Sequence, residues 1–290
     1  MAHRELTSAP ESLFFYWIEE RHAIFLRRQQ GKPKPWTTDP ILRDYKFTNP
    51  FRENDRGTVW LRENFLEPHR DDDPHLVAFN IAWYRMFNWW GTGALLGWRT
   101  RWDTEEVKYT LNKAFSEGKQ VFTGAHIVFS PPGFPKIEAI TDVCMALWVL
   151  CTRKSDILPN VVDIARSERE LQAVFNLLTT VHCVGGFMAY EMVTDMRHTK
   201  LLEDATDIMT WANPGPGARR GLQRLGLPSK GDAAIREIEK LMIKGNNYWL
   251  CPSGLRVEMR DIEHSLCEFD KYCRVKFNEG EPRSKYPGAA

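Results

Sequence analysis

The stretch WANPGPGARRGL, residues 211–222, decides how the chain reads. Asn213-Pro214-Gly215-Pro216-Gly217 interrupts any helix arriving from upstream, and Pro216 is suited to the first position of a new one. A turn of this kind between two helical segments exposes backbone N–H groups at the start of the second helix. Those amides, with the helix dipole, hold a phosphate without reading base sequence. Arg219, Arg220 and Arg224 follow within the next two turns, where guanidinium groups reach the same backbone. Asn213, Gly215, Gly217, Arg219 and Arg220 are therefore the candidate DNA-binding residues, and the expected fold is mainly α.

Downstream, LRVEMRDIEHSLCEFDKYCRVKF (255–277) has the period of a long amphipathic helix. Met259, Ile262, Leu266 and Phe269 form its core stripe. His264, Glu268 and Lys271 recur at four and three residues on another side, so that acid, base and cation project into one space. Cys267 lies one turn from His264, a setting that favours a thiolate, although a small core residue is the plainer role. Upstream, VGGFMAYEMVTDMRHTKLL (184–202) predicts a helix opened by the Gly185-Gly186 pair. Glu191 and Asp195 stand four apart on it, a spacing at which two carboxylates share a proton, bind a cation or amine, or simply face solvent.

At the N-terminal side, SAPESLFFYWIEERHAIFLRRQQG (8–31) has a capping box at Ser8 and Glu11 and a stop at Gly31. Phe14, Ile18, Arg21, Phe25 and Arg28 share one stripe, so two arginines lie on an apolar face, either snorkelling or aimed at a phosphate. The loop 32–57 follows, with four prolines and a dense mixture of aromatic and charged residues that includes Arg52; such loops often line sites. Trp83, Trp89, Trp90 and Trp98 read as packing more than as a base-stacking platform. KQVFTGAHIVFSPPGFPK (119–136), with Val121, Ile127 and Val128, predicts at most a small β-hairpin. A second capping box, Ser167 to Glu170, opens the next helical stretch.

The whole chain has 290 residues, 39 Lys+Arg against 38 Asp+Glu, and a mean hydropathy of -0.44, which fits a globular protein with a full core and neither disorder nor a membrane span. The near-neutral total hides an uneven distribution. Met1 to Arg62 carries 11 basic and 8 acidic residues, 63–212 carries 14 and 20, and 213–290 carries 14 and 10. Two basic ends around an acidic middle are compatible with one positive face. The first residues lack the apolar core of a secretory signal, so a cytoplasmic location is expected, that of the host cell for a phage protein. Cys144, Cys151, Cys183, Cys251, Cys267 and Cys273 form no close CxxC pair and read as reduced thiols, with no metal site and no cofactor expected.

Taken together, residues 14–56, 184–202, WANPGPGARRGL and DIEHSLCEFDKY (261–272) resemble the family described as the 5-hydroxymethyl-deoxyuridine DNA kinase helical domain, or α-glutamyl/putrescinyl thymine pyrophosphorylase. The resemblance runs through almost the whole chain. It implies a fold related to helix-hairpin-helix DNA glycosylases, taken here as one domain over 1–290, with an N-terminal helix and loop (8–62), a helical core (63–212) and a helix-hairpin-helix with C-terminal helix (213–290). It also implies action on modified thymine already in double-stranded DNA. In phage members a separate kinase phosphorylates 5-hydroxymethyluracil, and the transferase displaces phosphate or pyrophosphate with an amine, glycine being the favoured small amino acid. Among the expected catalytic residues Glu191, Asp195, His264 or Glu268 is the base and Lys271 stabilises the departing phosphate, for which Arg21, Arg28 and Arg52 are the further phosphate-binding candidates. The chain has no GxxxxGK[ST], which argues against a phosphorylating role for these 290 residues. A base-excision glycosylase and a noncatalytic DNA-binding partner of a kinase are the alternatives.

Overall fold

The computed structural model describes residues 10–124, 133–155, 157–248, 256–282 and 285–286. The architecture is mainly α, as the patterning predicts. In chain order the helices are α1 (Pro10–Gln29), α2 (Pro40–Asp44), α3 (Arg56–Leu61), α4 (Pro74–Phe87), α5 (Trp90–Leu96), α6 (Thr104–Ser116), α7 (Lys136–Thr152), α8 (Val161–Glu168), α9 (Leu171–Leu178), α10 (Gly186–Met196), α11 (Pro216–Arg224), α12 (Gly231–Tyr248) and α13 (Met259–Lys276). Among the described residues the only β pairing is an isolated bridge between Tyr45 and Lys285. Residues 125–132 of the expected hairpin at 119–136 lie outside the described residues, as do Ser8 and Cys251.

Two compact units account for the contacts, one from 1–55 with 209–290 and the other from 56–208. These divisions fall at 55 and 208, whereas the sequence reading set its internal joins at 62 and 212 within a single domain. The first unit unites both basic ends, with 23 Lys+Arg against 18 Asp+Glu, and the second carries 16 against 20.

In the first unit α13 is the axis, packed by α1, α2, α11 and α12. Helix α1 ends as its sequence dictates: Gly31 takes φ +67, and its N–H and that of Lys32 return to the carbonyls of Arg28 and Arg27. The contact of α11 with α13 is the most extensive, and Gly217 and Gly221, four apart, lie on the face that meets α13. A Cβ added at Gly217 would lie 2.2 Å from Cys267 Sγ, and one at Gly221 would lie 2.3 Å from the Leu266 carbonyl oxygen.

In the second unit α4 is the buried element, covered by α7 and α10. It is opened by Asp73, whose carboxylate accepts from the His75 N–H, and by Pro74, and it is closed by Asn88 at φ 47. Trp83 is fully buried and Trp98 stacks on His69 at 3.9 Å, while Trp90 is 40 % exposed.

Three local expectations are corrected. The capping box at Ser167 does not form: Ser167 finishes α8, Arg169 turns the chain at φ 57, and the first amides of α9 (Leu171 and Gln172) donate to Asp207 at 2.7 and 2.9 Å. A carboxylate brought from 36 residues away outcompetes the local hydroxyl. The helix through Glu191 ends at Met196 rather than Leu202, where the Thr199 hydroxyl donates to the Met196 carbonyl at 2.7 Å and accepts from the Leu201 N–H. Consequently turns rather than a helix fill 197–210, and the helix expected on the N-terminal side of Asn213 is not there.

Candidate active site

Within the first unit, the loop 46–54 is laid along α13 by three hydrogen bonds that reach from its backbone and hydroxyl to side chains of the helix. The Thr48 N–H donates to Glu268 Oε2 at 3.1 Å, the Arg52 N–H donates to Asp261 Oδ1 at 3.0 Å, and Thr48 Oγ1 lies 2.6 Å from His264 Nε2. Asn49 folds the loop locally by accepting from the Phe51 N–H at 3.0 Å. The loop backbone is thus satisfied by the helix face that sequence periodicity singles out.

His264, Glu268, Lys271 and Arg52 meet here. Arg52 Nη1 lies 3.2 Å from His264 Nδ1. A guanidinium only donates, so Nδ1 is the acceptor, the proton of the neutral ring is on Nε2, and Thr48 Oγ1 accepts it. In this state His264 has no lone pair to offer an incoming amine. Lys271 Nζ donates to both oxygens of Glu268 at 3.0 and 2.9 Å and sits 5.4 Å from the centre of the Phe47 ring. Arg21 approaches from α1. Its Nε and Nη2 donate to the Phe47 carbonyl at 3.1 and 3.0 Å, and its Nη1 has no hydrogen-bond partner among the described residues. The residue is only 8 % exposed, and burial is the chief cause that lowers its pKa, helped by the charge of Arg28 and opposed by the carboxylates of Asp55 and Glu268. A buried guanidinium without a paired carboxylate is costly by several kcal/mol, of order 3–5 when a partner is removed, unless an anion arrives.

Arg28 is not part of this group. It is exposed and stands 5.1 Å over the Trp36 ring. Below the loop, Asp261 is fully buried and accepts from the Arg52 and Glu258 N–H groups, and burial pushes its acid up to about 7 against the pull of Arg260. Asp39 holds α2 by accepting from the Ile41 and Leu42 amides and ties it to α1 and α13 through the Tyr16 and Tyr272 hydroxyls at 3.1 and 2.8 Å. Cys267 is wedged against Gly217, and burial, with Glu268 and Glu263 nearby, pushes its thiol up to about 12. That is the reverse of an activated thiolate, and it leaves the plainer reading, a small core residue.

The turn before α11 is partly occupied by the protein itself. The Gly215 N–H donates to Glu263 Oε1 at 3.1 Å, and Gly217 serves the α11–α13 approach. Arg219 and Arg220 are exposed. Arg219 Nε donates to the Pro214 carbonyl at 2.8 Å, and Asp270, fully buried, takes Arg220 at 2.8 Å, Arg224 at 3.2 Å and Arg274 at 3.6 Å. Three guanidiniums round one carboxylate leave a surplus of positive charge on this face, part of it returned by Glu279 on Arg224.

Glu191 and Asp195 belong to the second unit. They are 7 % and 1 % exposed, and the cation they bind is the chain's own Arg85, itself 3 % exposed. Arg85 Nη1 lies 3.2 Å from Glu191 Oε2, its Nη2 donates to Asp195 Oδ1 at 2.7 Å, and its Nε donates to Asp195 Oδ2. Arg85 was overlooked in the sequence; its signal is a single charge inside the apolar run NIAWYRMF. Thr48 and Asp261 were also missed, and nothing in their local pattern marks them.

Residues 10–281 match the family model described as "5-hmdU DNA kinase, helical domain". The chain belongs to that family. A curated relative, the 5-hmdU DNA kinase of Bacillus phage SP10, is 28 % identical over 287 residues, which cover 90 % of this chain and 44 % of the relative. The chain therefore spans less than half the length of the relative it matches. No solved structure matches this helical domain. Among the described residues no helix is long and apolar enough to cross a membrane, and no group of three His, Cys, Asp or Glu side chains is arranged to hold a metal ion.

Proposed function

We propose that this helical domain works in phage thymine hypermodification as an amino acid:DNA transferase. It replaces the phosphate, or pyrophosphate, of 5-phosphomethyl-deoxyuridine in double-stranded DNA by the amine of a small amino acid, glycine being favoured, to give a product such as 5-Nα-glycinylthymidine. In the step, the amine nitrogen forms a bond to the 5-methylene carbon, the C–O bond breaks, phosphate leaves with the electron pair, and the ammonium proton passes to a protein base. The observation that carries the reading is the convergence of Arg21, Arg52 and Lys271 with Glu268 and His264 on one side of α13, inside the stretch that defines the family. Arg21 offers to the departing phosphate an N–H that no described residue uses. Glu268 is the base, exchanging Lys271 for the amine; His264 holds Arg52. Glu191 and Asp195, paired with Arg85, are assigned no step in this reading. The target base has to leave the stack, which costs a few kcal/mol, and Arg219 and Arg220 hold the backbone meanwhile.

The test is incubation with 5-phosphomethyluracil DNA and a mixture of amino acids, digestion to nucleosides and mass analysis. An aminated thymidine is expected, with loss of turnover in Glu268→Gln and Arg21→Met. DNA binding with no new nucleoside for any amino acid refutes the transferase. It favours a second reading, a DNA-holding part of a larger modifying enzyme, which the match to under half of a protein named as a kinase supports. An abasic site instead means a glycosylase.

A further inference from the structure

The second unit contains a cavity of about 400 Å³ that the proposed transfer does not use. Its walls are residues 70–72, the start of α4, the end of α8 and the turns 199–205. Arg166, Arg169 and Asp204 line it, all three exposed, and none of their charged groups has an ion pair or hydrogen bond with another described residue. The other charges at the rim are already paired, Arg70 with Glu203, Lys200 with Asp71, and Asp72 with His69.

The fold fixes the backbone that carries these groups. Arg169 adopts φ +57, a left-handed conformation uncommon for a residue other than glycine, and its carbonyl accepts the Thr206 N–H at 2.8 Å. Immediately after it, Asp207 caps α9. The turn that carries Arg169 is therefore pinned to the turn that carries Asp204. Two like charges three residues apart repel each other. They are complementary to one oxyanion that both can ligate, Asp204 is complementary to an ammonium, and Val77, Ala165 and Ala205 supply a buried apolar floor.

We propose that this cavity binds a free α-amino acid, its carboxylate on Arg166 and Arg169, its ammonium on Asp204 and its side chain over the apolar floor. The assignment rests on no step of the transfer reaction and is tested without DNA. Calorimetric titration of the full chain with leucine, glycine, isocaproate (leucine without its amine) and inorganic phosphate separates the chemistries. Leucine binding is expected, about tenfold tighter than glycine because of the apolar floor. Arg166→Ala/Arg169→Ala is expected to weaken it at least about tenfold. Asp204→Asn weakens leucine by a similar factor but leaves isocaproate unchanged. The three side chains have no partners to lose among the described residues, so unliganded melting temperatures stay as in the wild type. Binding of phosphate without any amino acid, binding of none of the four, or indifference of leucine to the arginine pair overturns the proposal. Failure of the DNA transfer assay leaves it standing, and its own failure leaves that assay untouched.

Discussion

Replacing Arg85 by Met tests the reading of Glu191 and Asp195 as a structural pair. The substitution keeps much of the side chain's length and removes the one cation between two carboxylates that are 7 % and 1 % exposed and one helical turn apart. Breaking a buried ion pair by deleting one partner costs about 3–5 kcal/mol, because an unpaired charge is left in the interior. Against a total stability of about 5–15 kcal/mol that is a large share. The cost is pH-dependent. Two buried carboxylates left without a cation are tolerated best in their protonated forms, so the variant is least affected at low pH and loses stability as pH rises. Urea unfolding by far-UV circular dichroism at pH 8 and pH 5, with amide exchange of α4 and α10 as the local readout, measures it. Met for Arg85, Met for Glu191 and Leu for Asp195 together should recover most of the loss. An Arg85→Met protein within about 1 kcal/mol of wild type at pH 8, with an unchanged denaturant slope, refutes the argument.

Other consequences are sharp enough to measure. Gly221→Ala forces a Cβ against the Leu266 carbonyl and is expected to cost about 1–3 kcal/mol or more in urea unfolding, with no relief from Cys267→Ala; Gly217→Ala meets the Cys267 sulfur instead and should cost at least about 1 kcal/mol less in that background. Cys267→Ala alone should turn over normally on phosphorylated DNA, since a thiol pushed up to about 12 and wedged against Gly217 is no nucleophile; loss of turnover in a folded variant would restore a covalent step. Asp261 is expected to titrate near 7 by carboxyl NMR. Because its folded value is raised, the stability it contributes is complete below about pH 4 and lost as pH rises through 7; a midpoint below 5 contradicts the burial argument. Arg219→Ala/Arg220→Ala should weaken DNA binding to all sequences and flatten its salt dependence, and unchanged binding places the DNA face elsewhere.

Much of this molecule was decided by its amino-acid order. Helical period fixes which face of residues 259–276 is core and which carries His264, Glu268 and Lys271. Local chemistry sets the ends of α1 at Gly31 and of α4 at Asp73 and Asn88, since capping involves groups only a few residues apart. Tertiary structure decided what those side chains do. The same i, i+4 carboxylate spacing serves a free pair, a metal or an internal arginine, and only the packing of α4 on α10 selects Arg85. Gly217 has the composition of a phosphate-binding turn, yet its missing Cβ is what lets α11 close on Cys267. His264 acquires its tautomer from Arg52, 212 positions away. Charge and periodicity are properties of a segment, whereas desolvation and hydrogen-bond partnership belong to whichever atoms the fold brings within 3 Å, and those come from distant parts of the chain.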